Sequence, residues 1–182
     1  MNHYPRIEDL HTIAFDFDGV FTDNKVWLNE DGKESARCDR GDGLGISMLK
    51  NYIRLKELRA IIFILSKERN KVVSARALKM KCECHQGIDN KGAFMRDYLG
   101  RNKYNLANLK REMIFVCNDL NDLPVATLGP CIVAPDDAHP IIKAHADIVI
   151  AKLGGCGFVR EFVERLLHIE TLGIDELSVI MQ

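Results

Sequence analysis

Four short apolar runs constrain the fold of this chain more than any other feature: Ala60-Ile61-Ile62-Phe63-Ile64-Leu65, Met113-Ile114-Phe115-Val116-Cys117, Cys131-Ile132-Val133-Ala134 and Asp147-Ile148-Val149-Ile150. A strand with one face in water alternates apolar and polar residues, whereas a continuous apolar run marks a strand covered on both faces. Ile13-Ala14, near the N-terminus, reads as a further strand from the middle of the same sheet, and Cys82 to Gln86 as a short one. Segments of helical spacing lie between the runs. Ile46, Leu49 and Ile53 follow the break at Gly41-Asp42-Gly43, and a basic helix from about Asn70 to Met80 turns Val72, Val73, Ala77 and Met80 inward. Further helices are expected from Asn90-Lys91-Gly92 through Leu99, near Ala138 to His145, and finally from about Phe158 to His168. Apolar strands alternating with helices through short loops give an α/β fold, a Rossmann-like three-layer sandwich with a mostly parallel sheet. A length of 182 residues with 47% hydrophobic content suits one domain spanning 1–182, without repeat or linker.

One element departs from the alternation. Lys25-Val26-Trp27-Leu28-Asn29 and Lys33 to Cys38 flank Glu30-Asp31-Gly32, and Asp-Gly between two extended segments signals a hairpin, here inserted at about 25–38. Three consecutive apolar residues on a ribbon this small need a surface to pack on, either another subunit or the body of the same domain. The net charge of -1 gives no basis for binding nucleic acid or an anionic membrane, and no run is long enough to span a bilayer, which points to the cytoplasm. The six cysteines sit mostly in or beside apolar runs, as buried thiols do. Cys82-Glu83-Cys84-His85 lacks the second pair that a structural zinc site requires. The tail from Ile174 to Gln182 carries Leu177, Val179, Ile180 and Met181 and reads as a docking segment, a neighbour's site being one place for it.

Polar residues gather where the apolar runs stop. Phe15-Asp16-Phe17-Asp18-Gly19-Val20-Phe21-Thr22-Asp23 follows the first strand, and residues two apart on an extended chain share a side. Two carboxylates placed so repel each other and lose hydration unless a cation or an anionic substrate offsets the cost. The plain alternative is an Asp pair that caps a turn. The chemistry suited to the pair is Mg²⁺-assisted phosphoryl transfer, with one carboxylate attacking phosphorus and the other passing protons.

In open α/β sheets ligands bind beyond the carboxyl ends of the strands, so the other strand ends matter. Ser66 closes the Ile61–Leu65 run and suits either a phosphate oxygen or a helix N-cap. Asn118-Asp119-Leu120-Asn121-Asp122 follows Met113–Cys117, and its oxygens suit an octahedral Mg²⁺ shell or a capped turn. Lys91, at the mouth of a helix, suits charge neutralisation beside a phosphate.

Together, Asp16-x-Asp18, Ser66, Lys91 and Asn118-x-x-x-Asp122 resemble motifs I to IV of the haloacid dehalogenase superfamily. The resemblance extends to its small branch of 3-deoxy-D-manno-octulosonate 8-phosphate phosphatases and the phosphatase-like domains that accompany N-acylneuraminate cytidylyltransferases. The residues that carry it run in order along nearly the whole chain: Asp16 to Asp23, Asp42-Gly43-x-Gly45-Ile46, Asp119-Leu120-x-Asp122-Leu123-Pro124-Val125, Ala138-His139-Pro140, and Gly154-Gly155-x-Gly157 with Val159-Arg160-Glu161. The resemblance implies a capless, Mg²⁺-dependent phosphatase that removes the terminal phosphate of a 2-keto-3-deoxy sugar acid, either a nonulosonate 9-phosphate or an octulosonate 8-phosphate. Asp16 is then the nucleophile and Asp18 the general acid/base; Ser66 and Lys91 hold phosphate; Asp16, Asp18 and Asn118 hold metal, with Asp119 and Asp122 behind them. It also implies a homotetramer joined through the hairpins, with a neighbouring subunit helping to close each site.

Three positions depart from the octulosonate phosphatase pattern. Asn118 stands where an acidic ligand is usual, Ser66-Lys67-Glu68 replaces Thr-Gly-Arg, and Gly41 replaces an arginine that here falls at Arg40. These tilt the reading towards the sialic-acid-linked branch and leave Arg40, Asp42 and Arg76 as candidate substrate contacts, Arg76 equally fitting a surface charge. The runner-up reading is a catalytically weak or inactive oligomerisation domain associated with a sialic-acid cytidylyltransferase.

Overall fold

The computed structural model describes residues 4–182. Among these, six strands form one parallel sheet: β1 (Thr12–Phe15), β4 (Ile61–Leu65), β5 (Glu83–His85), β6 (Met113–Val116), β7 (Cys131–Pro135) and β8 (Ile148–Ile150), in the order β5-β4-β1-β6-β7-β8. β1 is hydrogen-bonded in parallel to β4 on one side and β6 on the other, with Phe15 level with Ile64 and Val116. The chain runs outward from β1 in one direction and then, from β6, in the other. The ends of β1 and β6 therefore meet at the switch point where α/β sheets bind ligands.

The helices are α1 (Arg40–Leu55), α2 (Lys71–Met80), α3 (Lys91–Arg101), α4 (Leu109–Glu112), α5 (Leu123–Ala126), α6 (Pro140–His145), α7 (Phe158–Leu166) and α8 (Ile174–Ile180). Two cores explain the continuous apolar runs. On one face Ile13, Phe15, Ile64, Ile114, Val116 and Val133 pack against α1, α2 and α7. On the other, Ala14, Phe63, Leu65, Met113, Phe115 and Ile132 pack against Met95, Leu99, Leu109 and Ile142 of the opposing helices. Alternate residues of one strand thus enter different cores. Phe15 lies 5.6 Å from the Phe21 ring and 5.7 Å from that of Phe162, and burying a ring of this size contributes roughly 2–3 kcal/mol.

Several expectations are corrected. β4 is buried on both faces only from Phe63 onward, because Ile61 (39% exposed) starts the strand at the foot of the sheet. Val72 turns inward with Val73, Ala77 and Met80, as expected, but is only half-buried at the edge of the core. The helix after Phe158 is not the last: α8 folds the tail back onto α1 of the same chain, where the Asn51 side chain donates to the Ile180 carbonyl at 2.8 Å. Leu106–Asn108 and α4, which precede β6, carry no clear apolar spacing in the sequence.

The inserted hairpin is present, with β2 (Trp27–Leu28) antiparallel to β3 (Glu34–Ser35) and Gly32 at φ 74° closing the turn. It does not fold back to cover its apolar residues: Val26, Trp27 and Leu28 remain 55–65% exposed. Glu34 tethers it to the domain, accepting a hydrogen bond from the Asn70 side chain at 2.9 Å.

Candidate active site

β1 delivers Asp16 to the rim of the sheet, where its backbone N–H still pairs with the Val116 carbonyl at 2.8 Å. Gly19, at φ 75°, then turns the chain so that Asp18 faces the same cleft. α3 brings Lys91. Asn90 caps the helix by accepting from the Ala93 N–H, and Gly92 lets it approach α5, since a Cβ there would stand 2.7 Å from the Pro124 carbonyl oxygen. Lys91 Nζ reaches Asp16 Oδ1 at 2.6 Å and Asp122 Oδ1 at 2.7 Å, with all three side chains almost fully buried. Asp122 Oδ2 accepts from the backbone N–H groups of Asn118 and Asp119 at 3.2 Å, which fixes the loop after β6.

One cation between two carboxylates leaves a buried excess of negative charge. Burial, and then the Asp122 charge, raise the Asp16 carboxyl above the usual carboxylate range against the pull of Lys91. Lys91 itself is raised, because the two carboxylates outweigh its own burial. Asp18, half-buried, is also raised, by burial first and then by the Glu68 carboxylate, with Lys91 opposing.

Asn118 completes the site. Its Nδ2 rests on Gly19, where a Cβ would overlap it at 1.8 Å, and its Oδ1 is buried with no hydrogen-bond partner. A buried amide oxygen left unpaired costs free energy unless something else binds it. No group of three or more His, Cys, Asp and Glu is placed to hold a metal ion among the described residues. The donors on offer at the cleft are instead the Asp16 carboxylate and the orphan Asn118 oxygen. They are all hard oxygens, and the set fits Mg²⁺.

The cleft encloses about 370 Å³ and is lined by Asp16, Asp18, Asn24, Ser66, Asn118 and Asp119, with Lys67, Glu68, Arg69 and Asp89 at its mouth and Asn121 beside them. Ser66 is buried and its Oγ accepts from the Glu68 N–H at 3.0 Å. It is not a helix cap, since Asn70 fills that place for α2. Asp119 lines the cleft while accepting from the Leu120 N–H at 2.7 Å. Asp16, Asp18, Ser66, Lys91, Asn118, Asp119 and Asp122 are thus brought together.

Arg40, Asp42 and Arg76 are not. Arg40 is exposed at the start of α1; Asp42 is fully buried and accepts from the Arg160 N–H at 2.9 Å; Arg76 donates to the Asp39 carbonyl at 2.6 Å and packs over Gly43. None of the three lines the cleft: Arg40 and Asp42 lie in the first turn of α1, which packs against α7, and Arg76 reaches that turn from α2. The cations at the mouth are Lys67 and Arg69, the latter paired with Asp89 at 2.7 Å. Their only signal in the sequence was a charged run directly after Ser66.

The arrangement is that of a haloacid dehalogenase superfamily hydrolase, and the comparisons agree. No protein-family model matches the chain. It is 30% identical over 164 residues, 89% of its own length and 81% of the relative's, to the 3-deoxy-D-manno-octulosonate 8-phosphate phosphatase KdsC of Escherichia coli K12. A structure from Streptomyces avermitilis, assigned to the HAD family hydrolases, superposes with a TM-score of 0.82 at 33% identity, covering 96% of each chain. The 3-deoxy-D-manno-octulosonate 8-phosphate phosphatase of Moraxella catarrhalis, solved with magnesium, phosphate and KDO, shares the fold at a TM-score of 0.80 and 23% identity, covering 97% of this chain and 96% of that one. This chain belongs to the KdsC family of phosphatases within that superfamily, and it is a phosphoric monoester hydrolase.

Proposed function

We propose that the chain hydrolyses the terminal phosphate of a 2-keto-3-deoxy sugar acid through an aspartyl-phosphate on Asp16. The buried Asp16–Lys91–Asp122 network at the switch point, open to a polar cleft, carries this reading. Asp16 Oδ1 is held by the Phe17 N–H at 2.7 Å and by Lys91, which leaves Oδ2 to attack phosphorus. As the new O–P bond forms and the ester O–P bond breaks, Asp18 gives its proton to the leaving sugar oxygen; its raised pKa suits a general acid. A water oxygen then attacks the phosphorus, Asp18 takes the water's proton, and Asp16 is released. Ser66 and Lys91 hold the phosphoryl oxygens. Asp16, the Asp18 carbonyl and Asn118 would hold Mg²⁺, which when bound would supply the charge neutralisation that lets a carboxylate approach a phosphate.

Relatives named for octulosonate 8-phosphate support the sugar-acid class. Lys67 and Arg69 at the mouth are suited to the sugar's carboxylate, in place of the arginine that position 68 lacks. The exposed apolar hairpin supports assembly as a homotetramer, and no helix among the described residues is long and apolar enough to cross a membrane. A cytoplasmic location belongs to the same reading. A non-catalytic oligomerisation domain finds no support among the relatives, which are phosphatases.

The test is phosphate release with saturating Mg²⁺ from octulosonate 8-phosphate, the 9-phosphates of N-acetylneuraminate and its deaminated analogue, and hexose phosphates. A sugar-acid phosphate is expected to exceed the hexose phosphates by at least tenfold in kcat/KM, with chelation of the metal abolishing release. Equal rates across the panel would contradict the substrate class.

A further inference from the structure

Asp42 is a fully buried carboxylate that the proposed chemistry does not use. Burial is the largest influence on it and raises it to about 6, so the fold bears the cost of an ionisable group in that place. Its contacts trace a path. Asp42 Oδ1 accepts from the Arg160 N–H at 2.9 Å, in the first turn of α7 and 118 residues further along the chain. α1 and α7 are close enough there that a Cβ on Gly45 would stand 3.0 Å from Arg160 Cα. Immediately before α7, the glycine loop 154–157 lies against the back of the turn that carries Asp18. The Gly155 N–H donates to the Val20 carbonyl at 3.0 Å. A Cβ on Gly154 would fall 1.9 Å from the Gly19 carbonyl oxygen, and one on Gly155 would fall 2.4 Å from the Thr22 carbonyl carbon. Thr22 in turn accepts from the Gly19 N–H at 3.2 Å, and its hydroxyl bonds the Asp18 carboxylate.

We propose that Asp42 is a positioning residue: it seats the N-terminus of α7, and through the Gly154–Gly155 loop fixes the Asp18–Gly19 turn behind the reacting phosphate. Backbone packed without room for a methyl group transmits displacement rather than absorbing it. A shift of even 1 Å in a reacting group is enough to cost orders of magnitude in rate. The loop touches the turn and not the mouth of the cleft, so the effect falls on kcat and spares KM.

The inference rests on the proposed roles of Asp16 and Asp18, and the test separates the two. p-Nitrophenyl phosphate, which makes no sugar contacts, is hydrolysed by the full-length chain with Mg²⁺ and by four variants. Asp42→Ala is expected to lower kcat at least tenfold with KM within about twofold. Asp42→Asn, which keeps an acceptor oxygen, restores kcat to within about threefold of wild type. Asp42→Glu keeps the charge but shifts the acceptor by one methylene, and it lowers kcat as the Ala variant does. Leu166→Ala, at the far end of α7, loosens the same helix without touching the path and keeps its kcat. An inert wild type would defeat the proposed function. An active wild type with Asp42→Glu unchanged, with Asp42→Asn as impaired as Asp42→Ala, or with Leu166→Ala equally slow would overturn the positioning role. Should Asp42→Ala fail to fold, the Asn and Glu variants decide the question.

Discussion

β1 has a buried polar cluster at each end, and the two behave in opposite ways. At its foot His11 lies fully buried, stacked on Tyr104 with ring centroids 3.7 Å apart, its Nδ1 bonded to Thr12 Oγ1 at 2.7 Å. Burial, and then the Arg59 charge, lower it to about 4, so it sits there as a neutral ring. At its upper end two equally buried carboxyl groups, Asp16 and Asp122, share the single Lys91 cation beside the orphan Asn118 oxygen. A fold that wanted only stability would neutralise both ends as it does the foot. Two buried carboxyl groups sharing one cation at the edge of a polar cleft mark the upper end as the working one. Substitutions there are expected to cost activity first, and substitutions at the foot stability alone.

The largest expected effect is at Lys91. Lys91→Met leaves two buried carboxylates facing each other, so activity is expected to fall at least 100-fold. Stability is expected to drop by roughly 3–5 kcal/mol, as when one partner of a buried ion pair is removed. Phosphate release and urea denaturation measure the two, and an active, fully stable variant would break the distinction between the ends.

Asn118→Ala removes the orphan oxygen and is expected to raise the Mg²⁺ concentration for half-maximal activity about 10–100-fold while leaving a folded chain. An unchanged Mg²⁺ dependence would remove Asn118 from the metal set.

The smallest effect is at the foot. His11 has a folded pKa lowered below its unfolded value, so its contribution is present above pH 6.5 and is lost as pH falls towards 4. Asp42, raised by burial to about 6, works the other way: its contribution is present below 3.8 and is lost as pH rises through 6. His11→Phe keeps the stacking and removes one titration. It is expected to flatten the acid side of the stability profile by on the order of 2 kcal/mol between pH 6.5 and 4, with kcat unchanged. Denaturation midpoints across that range check it.

The layered sheet was legible in the sequence because Met113–Val116 and Cys131–Pro135 are apolar on both faces, and only a covered strand needs that. The strand ends that meet at the cleft followed from the same runs. Local spacing could not show what distant segments do to each other. The Arg69–Asp89 pair at the mouth spans 20 residues and the Asp42–Arg160 contact 118, so Asp42 read as a substrate contact when it is bonded to the backbone of α7. The α8 tail went unplaced for a similar reason: its anchor is the Asn51 side chain, far away in the chain.

The most direct measurement is to quench the enzyme with acid during turnover of its sugar phosphate, reduce it with borohydride, and map the chain by mass spectrometry. An aspartyl-phosphate is reduced to homoserine, and homoserine is expected at position 16 and nowhere else, absent when the substrate is omitted. Turnover with position 16 remaining aspartate, or with homoserine at position 18 instead, would contradict the assignment of Asp16 as the nucleophile.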